Sequence, residues 1–197
     1  LQVVLYTQDL ELYARVHKAL QASGIALVWN EGEGFPLAGP DLLERGQVVL
    51  WPTPRGLRAY DLRGYAFLTR RDDPKTLPEG LRGVFGQRLL PGEALVLGAL
   101  GRGVVPEPRA LARALGLERS QARFFLRGVW NKFGLPLGLL LRLARHQVQV
   151  AGLEDHPEGL AGPQAEPLLH VPGQEDFQGK GPLEKPPVGE PFRVEAF

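Results

Sequence analysis

From Arg109 to Leu135 the apolar residues keep helical spacing on both sides of one glycine, which limits this stretch to two helices joined by a tight turn. The first element is short (Arg109, Ala110, Leu111, Ala112, Arg113, Ala114, Leu115), and Gly116 supplies the permissive backbone at its end. In the second, Ala122, Phe125, Leu126, Val129 and Phe133 recur at three-, four- and seven-residue steps and share the face that packs on neighbouring helices. Arg119, Gln121, Arg123, Phe124, Arg127 and Lys132 mostly fall elsewhere on the helix. Four cations and an amide outside the buried stripe suit phosphate oxygens and base edges, since Arg donates in pairs to guanine and Gln pairs with adenine.

Charge is distributed to match. The formal net charge is +1, yet residues 1–87 carry 10 Lys/Arg and 10 Asp/Glu, residues 88–146 carry 10 and 3, and residues 147–197 carry 3 and 9. A nearly neutral total therefore hides a basic middle, and the electrostatic part of nucleic-acid binding follows local charge.

With these residues in view, the stretch from Leu89 to Leu135 resembles the LuxR/NarL class of helix-turn-helix domains of bacterial response regulators. Leu89, Pro91, Glu93, Val96, Leu97, Leu100 and Gly103 match the family's opening pattern. Leu111, Ala112, Leu115, Gly116, Leu117, Ala122, Arg123, Leu126, Arg127, Val129, Lys132, Gly134 and Leu135 match its second part. Two departures stand out: Pro106 and Pro108 lengthen the link before Leu111, and Gln121-Ala122-Arg123 replaces the usual Thr-Val-Lys. The resemblance implies a transcription regulator that binds double-stranded DNA as a homodimer. Arg123, Phe124 and Arg127 would face the groove, while Arg119, Ser120 and Lys132 would hold phosphates. The alternative is a protein-interaction module of similar shape, acting on RNA polymerase or another regulator as sigma region four does. The closing Asn131-Lys132-Phe133-Gly134 favours the LuxR type.

Residues 1–88 read as an α/β unit. Gln2–Tyr6 suits a buried strand, and Leu10, Tyr13, Val16 and Leu20 then repeat as a helix closed by Gly24. Further strands are predicted at Ile25–Trp29, Gln47–Trp51 and Tyr65–Thr69, with a weak one near Val84–Leu89. A short helix is predicted at Asp41–Arg45 after the turn-rich Asn30–Pro40. Alternating strands and helices imply a mostly parallel sheet. Placed before a helix-turn-helix, such a unit resembles a response-regulator receiver, but a degenerate one. The expected third strand ends in Trp51-Pro52-Thr53-Pro54 without a carboxylate, only Asp9 remains of the acidic pair, Thr69 fits the fourth-strand position and Arg88 stands in for the lysine. An aspartyl phosphate would then have no acceptor and Mg²⁺ too few oxygen ligands.

The expected layout is thus a receiver-like domain (1–88), an all-α DNA-binding domain (89–146) and an irregular acidic arm (147–197) holding 8 prolines and 7 glycines. That arm could lie over the basic domain and compete with DNA. Leu135 to Leu143, with Pro136 at a first-turn position, reads as the last helix, serving either as a dimer contact or as ordinary core packing. No phosphate-binding loop, His-Glu-x-x-His or Gly-x-Ser-x-Gly occurs, and His17, His146, His156 and His170 lack metal-ligand spacing, so neither an enzyme nor a cofactor is expected. Cysteine is absent, no apolar run reaches about 18 residues, and the first residues lack a basic leader, so a cytoplasmic protein is expected.

Overall fold

The computed structural model describes residues 1–84 and 86–155. Contacts divide the chain into two units, the first Leu1–Arg88 and the second beginning at Leu89. The expectations for residues 156–197, the greater part of the acidic arm, lie outside the described residues.

The first unit is α/β with a mixed seven-stranded sheet. Its strands are β1 (Gln2–Tyr6), β2 (Ala26–Trp29), β3 (Phe35–Ala38), β4 (Val48–Thr53), β5 (Gly56–Asp61), β6 (Ala66–Phe67) and β7 (Gln87–Arg88), in the order β2-β1-β3-β4-β5-β6-β7. The first four are parallel, and from β4 onward each neighbour is antiparallel. Helix α1 (Leu10–Leu20) starts at Asp9, whose carboxylate accepts from the Glu11 and Leu12 amides. It buries Leu12, Val16 and Leu20 against Val3, Leu5, Leu37 and Leu50, each burial supplying about 2 kcal/mol. Leu10, expected on that face, is 63% exposed at the first turn. Helix α2 (Leu77–Leu81) adds Leu77 to the same core.

Two strands escape the sequence reading. β3 lies inside the stretch read as turns because Gly32, Gly34, Gly39 and Pro36 dominate it. The glycines have a specific task, since only five residues carry the chain from β2 across β1 to β3. A Cβ on Gly34 (φ +153°) would lie 2.7 Å from the Gln2 carbonyl oxygen, so any side chain there would block the crossing. Pro36 is tolerated at the second residue of this short strand, where its carbonyl accepts from the Gln47 amide. β5 forms a hairpin with β4 through Pro54 and Arg55, so an antiparallel turn takes the place of a helical crossover there.

The second unit is all-α, with α3 (Pro91–Gly101), α4 (Pro108–Leu115), α5 (Arg119–Phe133) and α6 (Leu137–Asp155). α3 is the centre of the bundle, touching the other three helices. It buries Gly92, Glu93, Ala94, Val96, Leu97, Ala99 and Leu100, a helix apolar nearly all round. Glycines bring its partners close: a Cβ on Gly92 would stand 2.3 Å from the Phe125 ring, and one on Gly101 would stand 2.3 Å from the Ala144 carbonyl oxygen. α6 buries Leu140, Leu143, Ala144 and Gln147 on one stripe. It continues past the expected boundary at 146, so Gln147–Asp155 is helical and not part of an irregular arm. Among the described residues no helix is long and apolar enough to cross a membrane.

Candidate nucleic-acid interface

The turn between α4 and α5 is three residues, Gly116-Leu117-Glu118. Gly116 takes the left-handed conformation (φ 68°, ψ 32°), and its amide and that of Leu117 both donate to the Ala112 carbonyl, closing α4. α5 then opens on Glu118, whose amide donates to Gln121 Oε1 at 2.9 Å. The buried side of α5 is Ala122, Leu126, Val129 and Phe133, with Phe125 half-buried beside them, as the apolar spacing predicts.

The expected site residues divide into three groups. Arg119, Ser120, Arg123 and Phe124 are exposed, and Arg127 is half-buried. Ser120, Phe124 and Arg127 fall at four- and three-residue steps along the side of α5 away from its buried stripe, with Arg123 flanking them. Asn131, four residues beyond Arg127, is exposed on the same stripe. Sequence reasoning passed over it because it was absorbed into the closing Asn-Lys-Phe-Gly pattern, although its spacing from Phe124 was visible.

Gln121 and Lys132 make contacts within the chain. A bidentate contact to adenine needs the Gln carbonyl oxygen, and in Gln121 that oxygen closes the helix start at Glu118. Lys132 Nζ lies 2.7 Å from Glu93 Oε1, and the Glu93 side chain is only 3% exposed. The same Oε1 accepts from the Leu90 amide at 2.9 Å, so one buried carboxylate oxygen caps α3 and ties it to α5. A Cβ on Gly128 would stand 2.2 Å from Glu93 Oε2, so the carboxylate reaches Lys132 through a gap that a side chain would fill. Around this core, Arg102, Arg109, Arg113, Arg119, Arg123 and Arg145 are exposed, against two exposed acids, Glu107 and Glu118, over residues 89–146.

In the first unit, the third strand is Phe35–Ala38, so the carboxylate following it is Asp41 and the Trp51–Pro54 segment belongs to a hairpin. Asp41 Oδ1 accepts from the Thr7 hydroxyl at 2.8 Å and Oδ2 from the Gln8 amide at 2.7 Å. Asp9 is the α1 cap. Arg88 lies on edge strand β7, five strand spacings from β1 or about 24 Å along the sheet. The Thr69 hydroxyl donates to the Arg71 carbonyl.

A cavity of about 450 Å³ opens in this unit among Phe35, Val48, Asp61, Leu68, Leu81 and Arg88. Asp61 is paired across the sheet with Val48 and Ala66, which places its carboxyl on the core face. Burial raises its pKa above the ordinary 3.8, against the lowering pull of the Gly64 and Arg63 amides and of the Arg63 and Arg88 charges. An acid held above its unfolded pKa contributes stability at low pH that is lost as pH rises through the folded value. Asp61→Asn keeps an acceptor for the two amides and has no charge to bury. It is expected to melt above the parent at pH 7, with the gain disappearing below about pH 3.8, as thermal unfolding across pH would show.

The chain matches no protein-family model, and no curated protein and no solved structure shows significant similarity to it.

Proposed function

We propose that this protein is a transcription regulator that reads double-stranded DNA with the outward face of α5, in the manner of the LuxR/NarL helix-turn-helix class. The observation that carries the reading is that face itself. Behind a three-residue turn, Ser120, Arg123 and Phe124 are exposed beside Arg119, and Arg109 and Arg113 are exposed one turn apart on α4. Cations on both helices suit the phosphates that flank a major groove entered by α5.

A homodimer would set two such helices about one DNA turn apart on a two-fold site. The first unit would act as a receiver-like regulatory part without aspartyl phosphorylation. Both Asp41 oxygens accept hydrogen bonds, from the Thr7 hydroxyl and the Gln8 amide just after β1, which supports a structural use of that carboxylate. The role is regulatory, not enzymatic.

The test is selection of bound fragments from a random duplex library, followed by a salt titration of the recovered site. A two-fold motif whose affinity falls steeply with salt is expected. Failure to bind any duplex near 50 mM salt would overturn the reading in favour of a protein-interaction module directed at RNA polymerase or another regulator. On the selected site, Arg123→Ala is expected to cost about 1–3 kcal/mol of binding and to relax preference at one base pair, measured by competition with single-base variants.

A further inference from the structure

We infer that α5 reads thymine through its C5 methyl group, with Phe124 as the reading side chain; this rests on the DNA-binding reading above. Phe124 is 47% exposed and sits on the outward stripe, four residues after Ser120 and seven before Asn131. Its ring meets Phe125 edge-on, with centroids 5.4 Å apart and planes at 71°. Phe125 is in turn lodged on Gly92, where even a methyl would clash with its ring. The exposed ring is therefore braced through Phe125 on α3.

The chemistry of that ring narrows what it can meet. It has no donor for a phosphate or for the acceptors of guanine, and no acceptor for the amino groups of adenine or cytosine. In the major groove the one apolar group is the thymine methyl. An apolar protein partner fits less well, because covering Phe124 would also cover Arg123 beside it and Arg119 one turn back, with Glu118 as the exposed acid at that end. A duplex supplies the methyl and the phosphates together. Ser120 and Asn131 are about 16 Å apart along the axis, roughly five base steps at 3.4 Å. Phe124 alone thus spans one or two of those base pairs.

The experiment uses the full chain and the site recovered by selection, with each thymine replaced in turn by deoxyuridine, which pairs identically and lacks the methyl. One or two positions per half-site should lose affinity about three- to fivefold, the worth of one buried carbon, while the others stay unchanged. Phe124→Ala should bind the thymine and deoxyuridine sites alike and keep the parent's salt slope, since no charge is removed. Phe124→Leu should retain part of the discrimination. Because the ring is exposed, both variants should melt within a few degrees of the parent. If the parent binds but no thymine position responds, or Phe124→Ala keeps the same discrimination, the thymine inference falls and DNA binding stands. If the parent binds no duplex, both fall.

Discussion

Lys132→Ala should cost the helical unit about 3 kcal/mol of stability, a loss far larger than removal of an exposed phosphate contact would give. Glu93 is buried and its Oε1 takes both the Lys132 ammonium and the Leu90 amide. Without Lys132 a carboxylate charge would remain in the core with one amide as its partner, and the low end of the range for broken buried pairs applies because Lys132 is itself 25% exposed. Thermal unfolding should fall by roughly 12 °C or more for a unit of this size. Adding Glu93→Gln to Lys132→Ala should recover part of the loss, since a neutral amide still accepts from Leu90 and leaves no buried charge. DNA affinity of Lys132→Ala at a temperature where it is folded should stay near the parent's. A normal melting point with weakened DNA binding would restore Lys132 to the phosphate-holding role expected from sequence.

Gly101→Val should be comparably damaging, by about 3 kcal/mol, at the upper end for overpacking. The new Cβ would stand 2.3 Å from the Ala144 carbonyl oxygen and 2.6 Å from Val148 Cγ2, and the backbone oxygen cannot swing aside. α3 and α6 would have to separate. Gly98→Ala, one turn earlier in the same helix, is the internal control: its Cβ would meet only the movable Arg102 guanidinium at 3.3 Å. Removing a mid-helix glycine there should stabilise by about 0.5–1 kcal/mol. Opposite signs for two glycines three residues apart, measured by chemical denaturation, would establish that the α3–α6 contact is the cause.

The helical half was legible because its signals are local. Gly116, the apolar steps from Ala122 to Phe133 and Pro108 at the first turn of α4 fix that helix-turn-helix within thirty or so residues of sequence. Legibility stopped where a side chain's partner is remote. Glu93 and Lys132 are 39 residues apart, and nothing in a helical wheel of α5 shows that the cation at its end is already committed. Gln121 differs, since its cap with Glu118 follows a spacing that could have been read as a capping box. In the α/β half, β3 was hidden because its glycines and proline are the residues of turns, and their use in a five-residue crossover becomes visible only when Gly34 is seen against the Gln2 carbonyl. Counting Trp51–Pro54 as the end of the third strand also hid that the carboxylate following the true third strand is Asp41.

The chain has no cysteine, so a single one can be labelled cleanly, and the most direct test of the account uses that fact. Ser120→Cys and, separately, Arg145→Cys on α6 would each carry a short photo-crosslinker on the 197-residue chain mixed with its selected duplex at low salt. The account predicts crosslinks to DNA from position 120 that vanish as salt rises, and few or none from position 145. Equal crosslinking from both positions, or none from position 120 while the duplex is bound, would contradict the claim that the outward face of α5 is what reads DNA.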